Sequence, residues 1–195
     1  MVDDQARIRE SLQALLRSVH LRVVTCGSAQ EFLDTYDPAC AGCLVLDVRM
    51  PGMSGIQLQE ELQARGTEIP IIFITGHGDV ALAVQAMKGG AVEFLEKPLD
   101  HQRLLDCIHE AIERDRVQRL AAEARSAIRE RIERLTRRER QVLEEVVAGR
   151  SSREIAAELA VSVKTVEAHR ARIMRKMEAH SAAQLIHAWY SFRSR

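Results

Sequence analysis

A chain of 195 residues with 46% hydrophobic composition holds one large domain or two small ones with ordinary cores. No apolar run approaches the roughly 18 residues of a membrane span, and no basic-then-apolar leader opens the chain, which argues against membrane insertion and export and predicts a cytoplasmic address. The net charge of zero combines unlike halves: residues 1–112 carry −7 and residues 113–195 carry +7, so the back half is the one suited to nucleic acid.

In chain order, β-rich runs at 21–25, 43–46, 70–75 and 91–95 predict strands, and amphipathic stretches at 5–19, 28–36, 54–65 and 79–89 predict helices. Strand and helix alternating at this spacing mean parallel βαβ units. Of the four cysteines, Cys40 and Cys43 form a C-x-x-C with no second pair and no nearby His, leading into a strand; they read as reduced structural thiols in a cytoplasmic protein.

Functional groups of such sheets gather beyond the carboxyl ends of the strands. Asp3 and Asp4 follow Met1 and Val2, Asp47 ends the run CLVL, Thr75 follows IIFI, and Lys97 follows EFLE and precedes Pro98. Three carboxylates at one rim repel unless a hard cation such as Mg²⁺ sits among them. Asp47 then serves as a nucleophile toward a phosphoryl group, with the cation and the Lys97 ammonium stabilising charge on the transferred oxygens and Thr75 donating a hydrogen bond. Singly, each residue has a plainer reading: Asp3 and Asp4 as a helix start, Thr75 as a turn cap, Lys97 as a solvated turn residue.

Residues 100–135 stay helical, without Pro or Gly, and carry a thin apolar stripe through Leu104, Ile108, Ile112, Val117, Leu120, Ile128, Ile132 and Leu135. One long connecting helix is expected, or two nearly joined. Pairing with a second copy is left open, since Asp115 and Arg116 interrupt a simple heptad. After Thr136 come three short helical segments: RRERQVLEEVVAG, SSREIAAELA with serines fit to cap it, and VSVKTVEAHRARIMRKM. At 100° per residue, Val166, Ile173 and Met177 fall on one side of the third, and Lys164, Ala168, Ala171, Arg172 and Arg175 on the other. Two helices across a tight turn, the second cationic, form the pattern of a helix-turn-helix.

The VDD at 2–4, LDVRMPGMSG around Asp47, ITGHGD from Ile74 and FLEKP ending at Pro98 together resemble the receiver domain of two-component response regulators, over residues 1–112. The resemblance implies an α/β fold with a doubly wound, parallel five-stranded sheet, its first strand truncated here, because only Met1 and Val2 precede Asp3. It implies that Asp47 accepts phosphate from a sensor histidine kinase. Mg²⁺ is then held by Asp3, Asp4, Asp47 and the backbone carbonyl of Arg49, while Thr75 and Lys97 sense the phosphoryl group and Phe94 is the switch aromatic. LTRRERQVL, EIAAEL and TVEAHRARIMRKM resemble the LuxR-type DNA-binding domain, an all-α four-helix unit over 136–195, joined to the receiver by a helical linker over 113–135. That likeness implies DNA contacts from Lys164, Thr165, Ala168, Arg172 and Lys176, a structural role for Glu139, and structural positions at Val166 and His169.

Both parts in this order resemble the FixJ-type branch of response regulators. The expectation is a transcription factor rather than an enzyme, binding promoter DNA, forming a homodimer on phosphorylation, with RNA polymerase a further candidate partner and no membrane contact. A metal-dependent phosphohydrolase is the rival. Its dehalogenase-like form wants an acid two residues after the nucleophile, where this chain has Arg49.

Overall fold

A computed structural model of the chain describes residues 1–76 and 80–193; the His77, Gly78 and Asp79 part of the ITGHGD motif, the first residue of the helix expected over 79–89, and residues 194–195 lie outside it. The described residues divide into two compact units, Met1–Arg119 and Leu120–Arg195.

In the first unit the helices are α1 (Ala6–Ser18), α2 (Ala29–Thr35), α3 (Gly55–Ala64), α4 (Val80–Lys88) and the start of α5 (His101–Glu133), with strands β1 (Leu44–Asp47), β2 (Ile71–Thr75) and β3 (Glu93–Glu96). The strands are parallel in the order β1-β2-β3, and the register places Asp47 beside Ile74 and Thr75 beside Glu96. Every residue of β1 and β2 is buried, as a sheet covered on both faces requires. Alternation sorts the side chains into two cores. Leu44, Leu46 and Phe73 pack with Phe32, Leu58, Leu62 and Ala86 from α2, α3 and α4, while Val45, Ile72 and Ile74 pack with Leu12, Leu16, Leu104, Ile108 and Ala111 from α1 and α5.

The expected strand at 21–25 does not form, and the sheet has three strands rather than five. Two isolated bridges, Val2 to Cys26 and Val2 to Leu46, take the remaining positions. Val2 makes both bridges: its N–H donates to Val45 O at 2.8 Å and its carbonyl accepts from Asp47 N at 2.9 Å, while Cys26 N donates to Met1 O and Asp3 N to Cys26 O. Residues 21–25 touch this segment through Val24 O, which accepts from Met1 N at 2.8 Å, and with Val24 exposed the run lacks the second covered face of a buried parallel strand. Val2 itself is fully buried, so the acidic pair still begins at the sheet.

The long connecting helix forms as expected: α5 runs 33 residues, about 50 Å at 1.5 Å per residue. In the second unit α6 (Arg137–Val147), α7 (Ser152–Glu158), α8 (Val163–Lys176) and α9 (Ala182–Arg193) enclose Val142, Leu143, Ile155, Val166, Ile173, Met177, Leu185 and Trp189, joined by Ile132 and Leu135 from the end of α5 and the turn after it. Three starts are capped by side chains. Thr136 with Glu139 and Ser151 with Glu154 form capping boxes, and Ser162 accepts from Thr165 N. The turn between α7 and α8 passes through Ala160 at φ 51°, a left-handed conformation an L residue tolerates only when its surroundings impose it.

Candidate functional site

Asp47 ends β1, and burial leaves its side chain few ways to satisfy its charge. Oδ2 accepts from Arg49 N at 2.9 Å, the first peptide of the turn that follows, and Oδ1 accepts from the Lys97 ammonium at 2.7 Å. The same ammonium lies 2.8 Å from Oδ2 of Asp3, which is fully buried, and Oδ1 of Asp3 accepts from Gln5 N. Lys97 is placed by the chain just past β3, where its backbone N–H donates to Thr75 O at 2.7 Å and so ties it to the end of β2. Three strand ends and the first residues of the chain thus converge as the sequence implies: Asp3, Asp47, Thr75 and Lys97 at one rim, with Thr75 buried and Asp4 exposed.

Burial pushes the Asp47 carboxyl above its ordinary range, and the hydrogen bond from Lys97 offsets this only in part, with Asp3 opposing. For Lys97, burial alone would lower the ammonium, but hydrogen bonds to Asp3 and Asp47 carry it above its ordinary value. The site therefore holds one fixed cation against two crowded carboxylates. Among the described residues, no three acidic, His or Cys side chains already form a metal cluster. The donor set nonetheless fits a hard divalent cation. Asp3 and Asp47 present oxygens to one point already occupied by positive charge, Asp4 and the Arg49 carbonyl adjoin it in the chain, and one ammonium leaves the buried pair with uncompensated negative charge.

Two further residues, one of them outside every sequence motif, hold this geometry. The Arg9 guanidinium of α1 donates through Nη1 to the carbonyls of Asp3 at 2.8 Å and Asp4 at 3.0 Å, fixing the acidic turn. At Gly55 an added Cβ would fall 2.2 Å from Asp47 O, so only glycine lets the start of α3 come this close to the end of β1. Arg9 offers no sequence signal beyond lying on a predicted helix. Gly55 was already part of the motif around Asp47, though without a reason for it. Phe94 of β3 is half-buried and packs on Phe73 with centroids 6.3 Å apart.

In the second unit α8 divides as its periodicity predicts. Val166, Ile173 and Met177 are buried, whereas Lys164, Thr165, Ala168, Ala171, Arg172 and Arg175 are exposed. The Thr165 hydroxyl lies 2.8 Å from the Ser162 hydroxyl at the helix start. Lys176 departs from expectation: its ammonium turns inward, 2.7 Å from Oε2 of Glu139 and 3.1 Å from Arg134 O. Glu139 is buried and also accepts from Thr136 N. Burial would raise its carboxyl, but the Lys176 ammonium and the Thr136 cap hold it below the ordinary range. A buried carboxylate claims its nearest cation, so Lys176 has a structural partner in Glu139 where a free solvent-facing cation was expected.

Comparison with known proteins agrees with this division. Residues 1–109 match the response regulator receiver domain, and residues 133–189 match the bacterial regulatory proteins of the luxR family. The chain is 47% identical over 186 residues to nodulation protein W of Bradyrhizobium diazoefficiens, covering 95% of this chain and 82% of that one. It is equally similar, at 47% over 186 residues, to the transcriptional regulatory protein FixJ of Azorhizobium caulinodans, covering 95% of this chain and 88% of the relative. Among solved structures, response regulator StyR superposes with a TM-score of 0.91 at 46% identity over 97% of this chain and 96% of that one. Full-length FixJ from B. japonicum gives 0.59 at 42% identity over 98% and 95% of the two chains. A receiver rim built on Asp47 in front of a luxR-family helix-turn-helix, matched along nearly the whole chain, makes this protein a member of the FixJ-like response regulators, transcription regulators controlled by phosphorylation.

Proposed function

We propose that Asp47 is the phosphoacceptor, with residues 1–112 as the receiver, 113–135 as the connector and 136–195 as the DNA-binding part. The observation that carries this reading is the Lys97 ammonium held between Asp3 and Asp47 at 2.8 and 2.7 Å. A carboxylate oxygen of Asp47 attacks the phosphorus of a phosphohistidine on the sensor kinase; the O–P bond forms, the N–P bond breaks, and the imidazole leaves on the kinase. Lys97 stays in place and meets the charge that grows on the phosphoryl oxygens. Thr75 moves toward the phosphate and donates its hydroxyl to a phosphoryl oxygen, and Phe94 turns inward as it does so. Asp3, Asp4, Asp47 and the Arg49 carbonyl would hold Mg²⁺, which when bound would neutralise the crowded acids and the incoming phosphoryl charge. The chain turns over no substrate; it carries the phosphate on itself.

The phosphorylated protein forms a homodimer in the cytoplasm and sets two α8 helices in successive major grooves of a promoter, in a position to meet RNA polymerase. Lys164, Thr165, Ala168 and Arg172 face the duplex. On the receiver, the exposed row Val80, Val84 and Met87 along α4, the helix after the Thr75 loop, supports the dimer reading.

Incubation with acetyl phosphate and Mg²⁺, followed by intact mass measurement, tests the assignment. Wild type gains one phosphoryl group that alkali removes, and Asp47→Asn gains none while keeping its salt-dependent DNA binding. Equal labelling of the two proteins would reject Asp47.

A further inference from the structure

Asp115 and Arg119 stand one turn apart on α5 and take no part in the phosphoacceptor rim or the DNA-facing helix. Asp115 is 3% exposed, although it lies on a long helix rich in charged residues. Its Oδ2 accepts from Gly42 N at 2.9 Å and from Arg119 Nε at 2.7 Å. The rest of the Arg119 guanidinium spans the loop between α2 and β1: Nη1 donates to Pro38 O at 2.8 Å and Nη2 donates to Cys40 O at 2.9 Å, with Tyr36 at the start of the same loop. Tyr36 in turn stacks on the core residue Phe32 at 4.9 Å. A planar fork of donors is matched here to fixed backbone acceptors, a fit lysine does not reproduce.

The position is as informative as the chemistry. Apolar anchoring of α5 to the receiver core ends at Ala111 and the half-buried Ile112; Val117 is 54% exposed. The compact receiver unit nevertheless continues to Arg119. The polar contacts of Asp115 and Arg119 hold residues 113–119, about two turns, where apolar packing does not. They fasten to Gly42, two residues before β1, whose far end is Asp47.

We propose that Asp115 and Arg119 are positioning residues that lock the connector onto the receiver, so that a rearrangement at the phosphoacceptor strand is delivered to α5 instead of being lost at a loose joint. The proposal rests on the reading that phosphate on Asp47 controls DNA binding. Without the lock, α5 would be free of the receiver from residue 113 onward.

The test uses the full chain as wild type, Arg119→Ala, Arg119→Lys and the charge-neutral double variant Asp115→Asn with Arg119→Gln, which keeps an answer available if Arg119→Ala does not fold. Amide exchange is expected to rise about tenfold or more over residues 36–43 and 113–119 in the variants and to stay unchanged in α3 and α8. Labelling by acetyl phosphate stays at the wild-type level. The ratio of affinities with and without the phosphoryl group, for a duplex selected from random sequence on phosphorylated wild type, falls at least threefold, with the Lys variant between the extremes. Unchanged exchange, an unchanged ratio or a loss of phosphate uptake each overturns the proposal. A wild type whose affinity ignores the phosphoryl group removes the underlying reading, and the coupling role with it.

Discussion

The Lys97 ammonium lies 2.7 Å from Asp47 and 2.8 Å from Asp3, a single cation serving two buried carboxylates. The arrangement is asymmetric, because removing the cation strands two charges, whereas removing one carboxylate relieves a repulsion. Lys97→Met should lower receiver stability by about 3 kcal/mol, the usual cost of leaving buried charge unpaired. Asp47→Asn should cost less than about 1 kcal/mol. Calorimetric unfolding of the two variants checks the contrast, and equal losses would contradict it.

The raised Asp47 carboxyl has a pH consequence of known sign. A carboxyl whose folded value lies above its unfolded one binds its proton more readily in the native state, so its contribution favours folding as pH falls through the folded value and is absent above it. Asp47→Asn should remove that contribution, making receiver stability fall more steeply than wild type on acidification. Urea midpoints across the mildly acidic range measure it.

Gly55→Ala would push a methyl group against Asp47 O, a backbone atom at the end of a buried strand that cannot swing aside. We expect a loss of at least about 2 kcal/mol and slower labelling by acetyl phosphate, because relief of the clash moves Asp47. Ala at the neighbouring Ser54 would cost only its cap, about 1 kcal/mol, and leave labelling unchanged.

Glu139 and Lys176 form an ion pair inside the second unit at 2.7 Å. Glu139→Gln should cost about 2 kcal/mol. With the Glu139 carboxyl held below its ordinary range, the pair's stability is complete above that range and is lost as pH falls through the depressed folded value; Gln abolishes this dependence. Trp189, the single tryptophan of the chain and part of this core, reports the transition by fluorescence.

Arg172→Ala, on the exposed face of α8, should reduce the salt slope of DNA binding by about one while leaving the Trp189 transition in place. Lys176→Met should do the reverse. A salt slope altered by Lys176→Met in fully folded protein would return that residue to the interface.

Where sequence periodicity and strand ends carry the information, the molecule was readable without coordinates. Asp47, Thr75 and Lys97 stand at the rim because each comes at the end of a β-rich run, and α8 splits into faces because 100° steps fix which side chains are buried. What escaped was decided by partners far along the chain. The β-rich LRVVT forms no strand: the isolated bridge pairs Val2 with Cys26 just past it, and the run itself meets Met1 through Val24 O at 2.8 Å. Lys176 has the pattern of a solvent-facing cation, but Glu139, 37 residues away, pairs with it. Asp115 read as a break in a heptad, but its partner Gly42 is a backbone amide 73 positions distant, and no pattern of residue types encodes a backbone partner.

Helix α5 enters two separate interiors. Leu104, Ile108 and Ala111 are part of the receiver interior, and Ile132 completes the one beneath the helix-turn-helix. A cut placed anywhere in its polar middle spares both sets, but an excised tail beginning at Thr136 forfeits Ile132 and Leu135 and with them a wall of its interior. The seam between the two functions is therefore narrower than the stretch of charged sequence that joins them.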